Sequence, residues 1–142
     1  MASPFRFDTV LRIRIIERDR CRMALAQEKQ REAALLAEQH HVQTERLAVL
    51  EDLRSVQVTG DWPADRILLR QQHSERLAIE LIRIDKDLKR VATTQICLHQ
   101  ELFAADTSVK ALEKLAGRHD AEQRHAEFKQ TERDREDTWR AA

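Results

Sequence analysis

From Leu77 to Ala116 apolar residues return every three and a half positions. Leu77, Leu81, Ile84, Leu88, Val91, Gln95, Leu98, Leu102, Ala105, Val109, Leu112 and Ala116 mark the seam; Gln95 is its one polar member, and neither Gly nor Pro interrupts it. That period, held over about five heptads, belongs to a helix packed lengthwise along another helix. A helix inside a compact globule needs a broader apolar face and ends sooner. Between the seam positions stand Glu80, Arg83, Asp85, Lys86, Asp87, Lys89 and Arg90, the interspersed charges of a solvated face.

The partner is upstream. Asp8 to Val58 contains no Gly or Pro and is rich in Ala, Leu, Glu, Gln and Arg, all good helix formers. Its best frame reads Phe7, Leu11, Arg14, Arg18, Cys21, Leu25, Glu28, Glu32, Leu35, Gln39, Val42, Arg46, Val49 and Leu53. This seam is weaker, and Ile16, Met23, Leu36, Leu47 and Leu50 are expected to fill in beside it. Ser3-Pro4 or Asp8 is expected to cap the first helix. One corner follows, Thr59-Gly60-Asp61-Trp62-Pro63-Ala64-Asp65. Gly60 suits a helix C-cap, and Asp61 an N-cap with Pro63 in the first turn behind it.

These signals predict an all-α fold: a long two-helix antiparallel coiled-coil hairpin with a C-terminal helical overhang, one domain over 1–142. Helix 1 is expected at about 8–58, the turn at 59–64 and helix 2 at about 65–140. At 1.5 Å per residue, helix 1 and the apolar part of helix 2 would each run about 75 Å. Folding at the corner pairs residues whose numbers total about 123, so Leu11 meets Leu112, Leu25 meets Leu98 and Phe7 meets Ala116. The apolar seam then ends where its partner begins, which favours an intramolecular hairpin over a parallel dimer. The same alignment sets Glu28 opposite Gln95, and a polar layer of this kind fixes register at some cost in stability. Beyond Gly117 the pattern has no apolar face. Phe128 and Trp139 stand out there, either as free-end aromatics or as anchors for a partner.

Composition narrows the function. Charged residues make up 35% and aromatics 4%, with two Gly and two Pro, so few corners are available. Lys plus Arg equals Asp plus Glu at 25 each, which gives no electrostatic reason to expect nucleic acid or an anionic membrane as partner. Val91–Gln100, the longest uncharged run in the second half, is too short to span a bilayer. Arg6, Asp8, Arg12 and Arg14 break any signal-peptide core, so a cytoplasmic protein without direct membrane insertion is expected. Cys21 and Cys97 lack metal-ligand spacing and read as reduced thiols. His40, His41, His73, His99, His119 and His125 include no pair four apart. With no phosphate-binding glycine loop either, no enzyme, cofactor or metal is expected.

Three surfaces exceed what a bare coiled coil needs. Near the open end, Arg6, Arg12, Arg14, Arg18, Arg20 and Arg22 outnumber Asp8, Glu17 and Asp19; this is a solvated face or a dock for an acidic or polar ring. After the corner, Leu68, Ile79 and Ile82, with Ile67 and Leu69 alongside, lie off the seam. They either widen the core against Leu47 and Leu50 or form a partner patch. The overhang is the third.

Phe5-Arg6-Phe7, Val10-Leu11, Arg14 and Glu17 near the start, and Lys110-Ala111-Leu112-Glu113-Lys114-Leu115 with the charged run after it, resemble the FliJ family. These are the coiled-coil stalk proteins of flagellar type III protein export, and injectisome stalk proteins share the layout. The resemblance covers the whole chain in layout through short motifs, and Gly117 departs from the second one by offering a hinge. It implies a non-enzymatic cytoplasmic stalk, peripheral at the inner face of the cell membrane when assembled. Such a stalk couples a hexameric export ATPase to the cytosolic part of an export gate membrane protein and escorts export chaperones. On that reading Arg6, Arg12, Arg14, Arg18, Lys114 and Arg118 would face the ATPase ring, and Leu68, Leu69, Ile79 and Ile82 the gate. The alternative is a generic cytosolic coiled-coil tether or scaffold unrelated to secretion.

Overall fold

The computed structural model describes residues 4–142. Two helices account for nearly all of them: α1 (Asp8–Thr59, 52 residues) and α2 (Ala64–Ala141, 78 residues). They pack against each other as a helical hairpin. α1 begins where the Leu11 amide donates to the Phe7 carbonyl at 2.8 Å, which makes Phe7 the residue before the first turn. Asp8 is the first helical residue rather than the cap, and its carboxylate sits 3.2 Å from Arg12 one turn on. Anions in a first turn complement the helix dipole. Ser3, the other expected cap, lies outside the described residues.

The corner is built by backbone chemistry. Gly60 adopts φ 67°, and no non-glycine residue among those described has positive φ. Its N–H donates to the Val56 carbonyl at 2.7 Å, the left-handed closure that glycine supplies without a Cβ clash. The Pro63 carbonyl accepts from Arg66 and Ile67 at 3.1 and 3.2 Å, so Pro63 is the capping residue of α2, just ahead of its first turn. Asp61 is exposed and makes no capping bond among the described residues. The expectation of an Asp61 cap with Pro63 inside the helix is corrected accordingly: the fixed φ of proline and its free carbonyl suffice to start α2. The Arg66 guanidinium lies 4.0 Å above the half-buried Trp62 ring, a cation–π contact that ties the corner to that first turn.

The chain divides into two compact units. One, Ala24–Leu98, contains the corner and most of the core. Here the deepest residues repeat every heptad: Leu35, Val42, Val49 and Val56 on α1, and Leu77, Ile84 and Val91 on α2. Val42, Val49, Leu77 and Ile84 form a continuous cluster, with Leu53, Leu81 and Leu88 packed beside it. Val56 and the buried Ser74 carry both seams one step closer to the corner than the sequence frames did. The alternate line of α1 is polar and half-buried: Glu32, Gln39 and Arg46. Long polar side chains lay their stems along the seam and keep their heads near water.

The other unit holds the described residues up to Met23 together with His99–Ala142. Val109 is fully enclosed there; Leu11, Ile15, Cys21, Leu102, Ala105, Leu112 and Ala116 are half-buried around it, while the seam residue Arg14 is exposed. Edge-on packing of Phe5 on Phe7 at 5.9 Å and a tilted contact of Phe5 with His119 at 5.7 Å close this end.

Two packing expectations need correction. Ile16, Met23, Leu36, Leu47 and Leu50 do not fill in beside the seam; all are exposed. A two-helix hairpin gives each helix one neighbour, so residues flanking the seam have nothing to pack on. The Gln95 amide donates to the Glu32 carboxylate rather than facing Glu28, one helical turn from the alignment read off helix lengths. Gly117 causes no break: α2 runs through it.

The two glycines give opposite predictions. A Cβ at Gly117 would meet nothing within 4 Å, so Gly117→Ala is expected to stabilise the fold by about 1 kcal/mol through helix propensity. Gly60→Ala is expected to destabilise it by about 1–2 kcal/mol, because the φ of Gly60 is left-handed. Urea midpoints of both variants read the signs directly.

Candidate functional site

The unit with the paired ends carries the basic surface and the overhang, and the corner unit carries the apolar stripe. In the unit with the paired ends, most of the arginines of the basic stretch are held by their own helix. Arg12 pairs with Asp8 at 3.2 Å, Arg14 with Glu17 at 2.9 Å, and Arg22 with Asp19 at 3.7 Å. Arg6 lies 5.5 Å from the Phe7 ring centroid. Arg18 is drawn inward, its side chain 19% exposed, with Nε 3.5 Å from Asp19 but without hydrogen-bond geometry. Among the described residues Arg20, Lys114 and Arg118 make no ion pair, so they are the cations this end offers outward. The Phe5–His119 contact draws the beginning of the chain to the residue next to Arg118.

A shallow groove in the same unit is lined by Arg14, Glu17, Arg20 and Cys21 of α1 and by Glu101, Ala104, Ala105 and Ser108 of α2. Small residues on α2 leave room there, and Arg14, Glu17, Arg20 and Glu101 give it a mixed charged rim. Nearby, the Asp106 carboxyl is held below its ordinary range, chiefly by a hydrogen bond from Lys110, with Arg18 and Arg22 of α1 adding attraction. The sequence pattern does not single out Asp106; the signal is its position one step off the seam residue Ala105, towards the arginines of α1.

In the corner unit, Leu68, Leu69, Ile79 and Ile82 are all exposed, Ile79 by 66%. Leu47 and Leu50 are exposed too, so the stripe does not widen the core; of the group only Ile67 is half-buried. Leu68, Ile79 and Ile82 fall on the face of α2 turned away from α1. The seam edges of this unit carry cross-helix pairs instead: Arg83 with Glu38 at 2.7 Å, His73 with Glu45 at 3.1 Å, and Arg70 with Asp52 at 3.8 Å. The Glu38 bond raises the Arg83 guanidinium above its already high range.

The overhang begins after His119. From Arg124 onward every residue is exposed, including Phe128 and Trp139. Thr131 and Thr138 spend their hydroxyls on carbonyls four residues back, and Gln130 donates to Asp134 at 3.0 Å.

Among the described residues no group of His, Cys, Asp or Glu is arranged to hold a metal ion, and no helix is long and apolar enough to cross a membrane. Cys21 is half-buried and Cys97 exposed, both as free thiols. Comparison with protein-family models, curated proteins and solved structures gives no match.

The lowered Asp106 titration has a defined sign. A carboxyl whose folded pKa is depressed contributes stability above its unfolded pKa and loses it as pH falls through the folded one. Asp106→Asn is therefore expected to flatten the acid limb of stability as pH falls through the ordinary carboxylate range and below it. Urea midpoints measured across that range test it; parallel curves for the two proteins would contradict the assignment.

Proposed function

We propose that this chain is a non-enzymatic coupling stalk of a type III, flagellar-like protein export apparatus, similar in role to the FliJ family that its two end motifs resemble. In that role the paired ends engage the hexameric export ATPase, and the apolar patch near the corner engages the cytosolic part of the export gate. The observation that carries the reading is the pairing of those motifs, Phe5-Arg6-Phe7 and Lys110 to Leu115, within one unit of a helical hairpin. The physical logic is that of a coupling element. A long helix supported by a second helix transmits displacement, because each resists bending while the seam holds. Its outward cations, Lys114 and Arg118 with Arg20, offer an acidic ring attraction, and Arg6, Arg12 and Arg14 join them by exchanging their partners on α1 for the ring's. Leu68, Leu69, Ile79 and Ile82 form the contrasting surface, since exposed apolar residues grouped on one side mark an interaction.

The export ATPase of the same organism provides the test. Turnover and hexamer formation should rise on adding the protein, and an Arg12→Glu/Arg14→Glu/Lys114→Glu/Arg118→Glu variant should lose most of that stimulation. A Leu68→Ser/Ile79→Ser/Ile82→Ser variant should stimulate normally yet lose gate binding. No stimulation by the native protein would sink the stalk reading and leave a tether.

A further inference from the structure

We propose that the exposed C-terminal segment of α2 is a self-association site, which pairs antiparallel with the same segment of a second copy of this chain. Phe128, Glu132, Arg135 and Trp139 recur at steps of four, three and four, so they share one face of α2. Phe128 is 61% exposed and Trp139 86%. The segment thus has the spacing of a short coiled-coil seam and no partner for it within the described residues.

The segment is complementary to itself in one direction only. A two-fold axis between Arg133 and Asp134 sets Phe128 against the second copy's Trp139, and Trp139 against its Phe128. The same axis sets Glu132 opposite Arg135 and Arg135 opposite Glu132 in the two inner layers. Flanking that seam, Lys129 of one copy comes beside Glu136 of the other. Every charged pair so formed is attractive, and each occurs twice, as an isologous contact requires. A parallel, in-register pairing would stack Glu132 on Glu132 and Arg135 on Arg135, like on like. Among the described residues Lys129, Glu132, Arg135 and Glu136 make no ion pair within their own chain. The pairing therefore displaces none. A second copy is favoured over another helix because one short segment supplies both halves of the match.

The area sets the strength. An aromatic side chain buries about 150–250 Å² when enclosed. Two Phe and two Trp bring the contact towards the lower edge of specific interfaces, about 1,200 Å² in total. The dimer is accordingly weak and reversible, with a dissociation constant on the order of 10⁻⁵–10⁻⁴ M.

Sedimentation equilibrium of the full chain, from micromolar to near-millimolar concentration, reads this directly. The weight-average mass should climb from one chain towards two. Phe128→Ala/Trp139→Ala should weaken association by at least about tenfold. Arg135→Glu alone sets Glu against Glu in both inner layers and should weaken it by about tenfold, whereas Glu132→Arg/Arg135→Glu restores opposite charges and should return it to within about threefold. These residues are solvent-exposed, so the hairpin itself is expected to fold in every variant. A chain that stays monomeric throughout would overturn the proposal. So would association indifferent to the aromatic variant, or a double reversal no better than the single one.

Discussion

A hairpin of two helices can bury only one line of side chains per helix, and the rest of this structure follows from that. Each helix has a single neighbour, so deep burial recurs once per heptad, at Leu35, Val42, Val49 and Val56 and at Leu77, Ile84 and Val91. Most alternate seam positions are half-covered, the seam edges are partly covered, and the outer faces of both helices meet water. Leu47, Leu68, Ile79 and Met23 are exposed because the described residues hold no third element to cover them. The fold therefore carries apolar side chains on its outside that a globular protein of this length would enclose. Such residues are available for partners without any rearrangement.

The same constraint explains how much of the fold was legible. The seam from Leu77 to Ala116 has one polar interruption, so the period alone identified α2 and demanded a partner. The scarcity of Gly and Pro then left one place to turn. Expected bounds of 8–58 and 65–140 stand against Asp8–Thr59 and Ala64–Ala141. The period could not give the width of the buried line, which is why Leu36 and Leu50 were expected inside. Helix lengths set the alignment only to about one turn. The Gln95 amide therefore found Glu32 rather than Glu28. Nor could sequence divide the capping of α2 between Asp61 and Pro63, since either supplies an oxygen; the Pro63 carbonyl takes the role.

The candidate surfaces were less legible than the seam because their residues are common on any solvated helix. The basic stretch is visible as composition, but sequence does not show that Arg12, Arg14 and Arg22 are held by carboxylates on their own helix. Nor does it show Arg18 drawn inward while Arg20, Lys114 and Arg118 face out. The arginines on the α1 seam make the paired-end unit a weaker helix pair than the corner unit. Val109 is its one fully enclosed residue among those described.

The central claim is that α1 and α2 of the same chain form the seam. Spin labels at positions 38 and 83 report on it directly, because Arg83 and Glu38 meet across the helices at 2.7 Å. Both side chains are partly exposed, so replacing that ion pair by labelled cysteines, with Cys21 and Cys97 changed to Ser, costs little. Pulsed dipolar spectroscopy should give one short, narrow distance that survives dilution with excess unlabelled chain. A signal that disappears on dilution would show the seam to be shared between chains, and a long distance would show the helices unpaired.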